Sequence, residues 1–159
     1  MNKKNKLILS IVFLFVMAII LASCNTQKFD YQSTKTDCAN FLEKNKNEIT
    51  ETAEKIINQQ GTTEYKGYNI RYEESDNLQY VILDYNARGA LGGQYWGLYY
   101  SPDNNFYDEY GTVEVDKDRK YYKEQNGNNI FATERLCENW FFYYQDYDGN
   151  THNIDWKIE

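Results

Sequence analysis

The sequence predicts an α+β domain in which one N-terminal helix packs on a curved antiparallel β-meander. Three observations carry that prediction. Apolar residues recur at helical spacing between residues 37 and 60, the period falls to two after Gly61, and turn-forming residues then punctuate the chain at short intervals. The residues before this region differ in character, which divides the chain into segments 1–23, 24–36 and 37–159.

The first segment opens with Lys3, Lys4 and Lys6 and continues as an apolar run from Leu7 to Ala22 broken only by Ser10. A basic stretch, an apolar run and then small residues form the layout of a secretory signal. The alternative is a membrane helix. A span needs about 20 apolar residues, whereas this run is shorter and gives way to Asn25, Thr26, Gln27 and Lys28. Leu21-Ala22-Ser23-Cys24 resembles the lipobox of bacterial lipoproteins. That resemblance implies cleavage before Cys24, diacylation of Cys24 as the new N-terminus, and a place on the extracytoplasmic face of the cell membrane. Two acyl chains hold a protein stably where one gives marginal binding. Residues 24–36 then read as the lipidated cysteine and a polar tether, reaching up to ~40 Å if fully extended.

The helix is predicted over 37–60. Cys38, Phe41, Leu42, Ile49, Ala53, Ile56 and Ile57 share one face, charged residues fill the others, and Gly61 suits a C-terminal cap. In the first predicted strand Tyr68, Ile70 and Tyr72 alternate with Asn69, Arg71 and Glu73. Ser75-Asp76-Asn77 turns the chain into Leu78–Tyr85, and a glycine-bearing loop at 88–93 leads to Gln94–Ser101. Pro102-Asp103-Asn104 is type I turn chemistry. After a longer loop at 103–111 come short strands at 112–116 and 119–125, the hairpin signal Asn126-Gly127, and strands at Ile130–Cys137 and Trp140–Tyr147. A last strand alternates Ile154, Trp156 and Ile158 with polar residues. Residues 130–141 also fit a helix, but flanking turns and aromatic enrichment favour strands. A helix packed on such a sheet resembles the cystatin-like arrangement in element order.

Two strands are apolar on both sides, as are strands covered on both faces. Tyr95 and Tyr99 oppose Trp96, Leu98 and Tyr100; Trp140, Phe142 and Tyr144 oppose Phe141, Tyr143 and Tyr147. One helix covers one face. Either the sheet curls so that its second face packs on itself, or an aromatic surface stays open for contact, with Tyr95, Trp96, Tyr99, Trp140 and Phe142 its candidate residues.

Composition narrows the function. Removing residues 1–23 takes away three of the 17 basic side chains and none of the 24 acidic ones, so the formal charge moves from −7 to −10. An acidic chain is repelled by nucleic-acid phosphates, which argues against nucleic acid as a partner. All 16 tyrosines and three tryptophans lie beyond residue 23, an aromatic content that argues for a packed domain. Cys38 and Cys137 read as a disulfide in an exported chain, with two separately buried thiols as the alternative. A bridge closing so long a loop contributes ~4–5 kcal/mol in the chain-entropy model.

His152 is the single histidine, and no zinc-spaced Cys/His set or phosphate-binding glycine loop is present, so no metal or cofactor is expected. Asp146-Tyr147-Asp148-Gly149-Asn150 lacks the ligands of a calcium loop and reads as a turn. Asp84, Asp108 and Glu109 are carboxylates available for acid–base pairing, with nothing to single them out. The expected function is a non-enzymatic module, held at the membrane by lipid, that binds a protein, peptide or glycan. An inhibitor or immunity-type lipoprotein sequestering a secreted protein is the second reading, and a small envelope enzyme the third. The Tyr95–Asp103 and Thr133–Tyr144 stretches resemble small lipoproteins of low-GC Gram-positive bacteria, a likeness that brings no activity with it.

Overall fold

Helix α1 spans Tyr31–Gln59 in the computed structural model, which describes residues 30–88, 93–107, 111–124 and 129–147, with the backbone alone at 86–88 and 123. The predicted start near residue 37 is therefore six residues late, and residues 31–36, expected in the tether, are helical. The cause is Asp30, whose extended backbone and side chain cap the helix by accepting the Ser33 amide at 2.7 Å. Tyr31 then anchors the first turn. It is fully buried, with its ring edge-on to Phe142 at 5.2 Å and to Tyr144 at 6.1 Å. At the other end Gln60, not Gly61, takes the left-handed conformation, and its amide donates to the Ile56 carbonyl at 2.8 Å.

Eight strands follow among the described residues: β1 Thr62–Tyr65, β2 Tyr68–Ser75, β3 Leu78–Arg88, β4 Gln94–Tyr100, β5 Val113–Asp116, β6 Arg119–Lys123, β7 Ile130–Cys137 and β8 Trp140–Asp146. The described residues form an α+β fold, one helix on one antiparallel sheet, and Ile130–Cys137 and Trp140–Asp146 are strand rather than helix. Strand β1 has no alternating pattern and escapes the sequence reading. It joins β2 through Lys66-Gly67, whose positive φ values of 51° and 85° suit a two-residue hairpin. Asp76-Asn77 makes the same kind of turn between β2 and β3.

The strand order is β1-β2-β3-β4-β8-β7-β6-β5. Two four-stranded meanders thus meet through their last strands, β4 and β8, instead of one meander running through the sheet in sequence order. The chain between β4 and β5 must pass from the middle of the sheet to its far edge. The predicted last strand at 153–158, the turn at 126–127, His152 and Cys24 lie outside the described residues.

Helix α1 packs over β1–β4 and β8 on the first face of the sheet. Cys38, Leu42, Ile49, Ala53 and Ile56 meet Ile70, Leu83, Trp96, Leu98, Trp140 and Phe142 there. The Trp140 indole nitrogen donates to the Thr50 hydroxyl at 3.0 Å, so the β7–β8 turn lies beside the middle of the helix. The expected Cys38–Cys137 bridge is not seen in this structure: both thiols are free, Cys38 buried on the inner face of the helix and Cys137 paired with Trp140 in the β7–β8 register. Burial, aided by the nearby Asp37 charge, pushes the Cys38 thiol up to about 12.

Candidate functional site

The second face carries Tyr80, Ile82, Tyr99, Phe131, Phe141 and Tyr143, all buried. A loop covers part of it. Residues 101–107, on their way to the far edge, lay Phe106 and Tyr107 across the aromatic strands. The Tyr80 hydroxyl donates to the Phe106 carbonyl at 2.9 Å, and the Arg135 guanidinium sits over the Phe106 ring at 5.1 Å and the Phe141 ring at 4.7 Å. Tyr99 stacks on Phe141 with centroids 4.7 Å apart and planes 3° apart.

The buried Tyr99 hydroxyl has both of its needs met. The Thr133 hydroxyl donates to the Phe142 carbonyl at 3.0 Å, so the 2.8 Å contact between Tyr99 and Thr133 uses the Tyr99 proton. The Tyr107 amide donates back to the Tyr99 oxygen at 3.2 Å. Burial therefore raises this phenol, and it stays neutral. The chain of bonds ties the loop to β4 and β7.

These positions revise the predicted contact surface. Trp96, Trp140 and Phe142 lie under the helix on the first face, and Tyr99 is sealed beneath the loop on the second. The five residues are divided between two faces, and only Tyr95 is half-exposed. Part of the second face is covered by the chain's own 101–107 segment.

The cover is incomplete. Beside the loop lies a cavity of about 350 Å³, walled by Tyr107 on the loop side and by β2, β3, β4, β7 and β8 elsewhere. Arg71 and Glu73 enter from β2, Asp84 from β3, and Tyr143, Gln145 and Tyr147 from β8 and its end. Register explains the gathering. Asp84 of β3 and Tyr143 of β8 are both paired to Gly97 of the strand between them. With no side chain at Gly97, the Tyr143 hydroxyl reaches across β4 and donates to Asp84 Oδ1 at 2.6 Å. The Arg71 Nε donates to Asp84 Oδ2 at 3.3 Å, and the same guanidinium contacts Glu73. Burial first, and the Asp84 charge second, raise the Tyr143 phenol well above its ordinary range, so it remains a donor.

At the mouth, Tyr95 and Tyr147 meet edge to face with centroids 5.8 Å apart. Gln145 is the cross-strand partner of Tyr95 and donates from Nε2 to the Tyr147 hydroxyl at 2.8 Å. Among the described residues no group of three His, Cys, Asp or Glu side chains is placed to hold a metal.

Sequence reading missed Arg71, Glu73, Tyr143, Gln145 and Tyr147 as site residues and gave Asp84 no special place. The available signal was that polar residues on one face of β2 and β3 must share that face with the aromatics of β4 and β8. Only the register shows which polar residue meets which ring. No protein-family model, curated protein or solved structure matches the chain, so the geometry stands without a relative to lend it a function.

Proposed function

We propose that this chain is an extracytoplasmic lipoprotein, anchored through lipid on Cys24, whose domain acts by binding a ligand at the second face of its sheet rather than by catalysis. The observation that carries this reading is the cavity beside the 101–107 loop, a concave space with ring walls and a few convergent polar groups. Its central carboxylate supports binding over acid–base work. Asp84 accepts from Tyr143 on one oxygen and from Arg71 on the other, so both oxygens are engaged within the wall.

The address rests on Leu21-Ala22-Ser23-Cys24 and on the basic and apolar residues before it. No helix among the described residues is long and apolar enough to cross a membrane. With the helix starting at Tyr31, the tether on this reading is residues 25–30, short enough to keep the domain within ~20 Å of the lipid. Register shifts in β3 at Asp84/Asn86 and in β7 at Arg135/Cys137 support a curved sheet, because bulges bend strands. A cystatin-like relation extends no further than a helix preceding antiparallel strands.

Mass spectrometry of the protein from its native membrane tests the anchor. The expected species begins at a diacylglyceryl-modified Cys24, and Cys24→Ala abolishes lipid attachment. An unmodified Cys24, or an intact Met1, overturns the reading.

A further inference from the structure

Resting on that reading of the second face as a binding site, we propose that the cavity takes a neutral, hydroxyl-rich ligand, namely a sugar unit of an oligosaccharide. Size is the first constraint. At about 350 Å³ the space lies near the lower end of the ~300–1,000 Å³ of small-molecule sites, which suits one or two rings rather than a folded partner.

Charge is the second. The guanidinium of Arg71 is held between Glu73 and Asp84, and Asp84 is held in turn by Tyr143. An entering cation meets Arg71, and an entering anion meets the two carboxylates. The three charges sum to one negative, so an anion is repelled, and the single cationic group is already held by Glu73 and Asp84. An ammonium ligand, which an aromatic cage would otherwise suit, is disfavoured by the guanidinium in the wall.

The third constraint is the density of polar ends. Five tyrosines, one arginine, two carboxylates and one glutamine line the space, and only Ile82 and Phe131 are without a side-chain polar atom. An apolar ligand would strip water from those that still reach solvent, Glu73, Tyr95, Gln145 and Tyr147 among them, and return no hydrogen bond. A sugar hydroxyl both donates and accepts, and so matches a wall where phenols, carboxylates and an amide alternate. Its ring also presents C–H faces to aromatic surfaces. Tyr95 and Tyr147, with planes 82° apart at the mouth, form a corner against which such a ring can rest while its hydroxyls reach Gln145 and the Asp84–Arg71 pair.

The test is calorimetric titration of the full chain in detergent micelles with maltotriose, cellotriose and N-acetylchitotriose, and with choline and citrate as charged probes. Saturable binding of at least one trisaccharide is expected, with none of choline or citrate. Tyr147→Ala and Gln145→Ala, both at the rim, should each weaken that binding by about tenfold or more with an unchanged unfolding temperature. Silence of all three trisaccharides overturns the sugar assignment, as does trisaccharide binding that neither substitution alters. Binding of choline or citrate that both substitutions abolish also overturns it, while leaving the cavity a binding site. Lipidation of Cys24 is read separately and is untouched by any of these outcomes.

Discussion

Gly97→Ala should be among the most damaging small substitutions in the domain. A methyl group built on Gly97 lies 2.0 Å from the Leu83 carbonyl oxygen and 2.9 Å from the Tyr85 amide nitrogen. Carbon and oxygen ordinarily approach to ~3.3–3.6 Å, so one strand must retreat by more than about 1 Å. Both obstructing atoms are backbone, held by the β2–β3 and β3–β4 ladders next to the shift at Asp84/Asn86, and no rotamer change relieves them. Overpacking a core costs ~1–3 kcal/mol when side chains can yield. Here ladder bonds must open as well, each contributing ~1 kcal/mol. The expected loss is ~3–5 kcal/mol, a fall in Tm of roughly 10–20 °C for a domain of this size. Thermal and urea unfolding of the purified protein measure it. Gly67→Ala is the control. Its turn has open space but a φ of +85°, so its cost is the ~1–2 kcal/mol of a left-handed alanine. A Gly97→Ala protein within 1 kcal/mol of the parent, or more stable than Gly67→Ala, would refute the close approach of β3 and β4.

Three further expectations concern the helix start, the buried phenols and the thiols. Asp30→Ala should cost ~1 kcal/mol by removing the N-cap, whereas Asp37→Ala, inside the helix and exposed, should cost almost nothing; the reverse order in urea unfolding would restore a start near residue 37. Burial raises the phenols of Tyr31, Tyr99 and Tyr143 in the folded state, while the unfolded chain releases those protons near pH ~10. Stability from these groups is therefore complete below that pH and lost as pH rises above it, with Cys38 adding a loss between its ordinary value and about 12. Phenolate absorbance should show several tyrosines ionising only as circular dichroism reports unfolding; all tyrosines titrating together in an intact fold would contradict their burial. Both thiols should alkylate without prior reduction, Cys137 in the native protein and Cys38 only on unfolding. Labelling that requires a reductant would establish the bridge instead.

Much of the architecture was legible because it is written in periodicity. The face of α1, the alternation in β2 and the two-sided character of β4 and β8 each follow from which residues are apolar. What escaped depended on single polar atoms or on register. Asp30 caps the helix among polar neighbours that gave no apolar period. The β4–β8 pairing joins strands some 50 residues apart, and nothing local encodes it. The covering of the second face was misread for the same reason, since Phe106 and Tyr107 looked like loop residues until the crossing from mid-sheet to edge laid them over Tyr99 and Phe141. The site was least legible of all. Its network spans β2, β3 and β8 across a strand that contributes, at Gly97, the absence of a side chain.

Hydroxyl-radical footprinting of the full chain tests most directly whether the second face is closed except at one cavity. Tyr95, at the mouth, and Tyr147, 40% exposed, should be oxidised readily, while Tyr80, Tyr99, Phe131 and Phe141 of the second face stay protected until the protein unfolds. Oxidation of those four at rates matching Tyr95 would contradict the closed face and return the molecule to an open aromatic sheet.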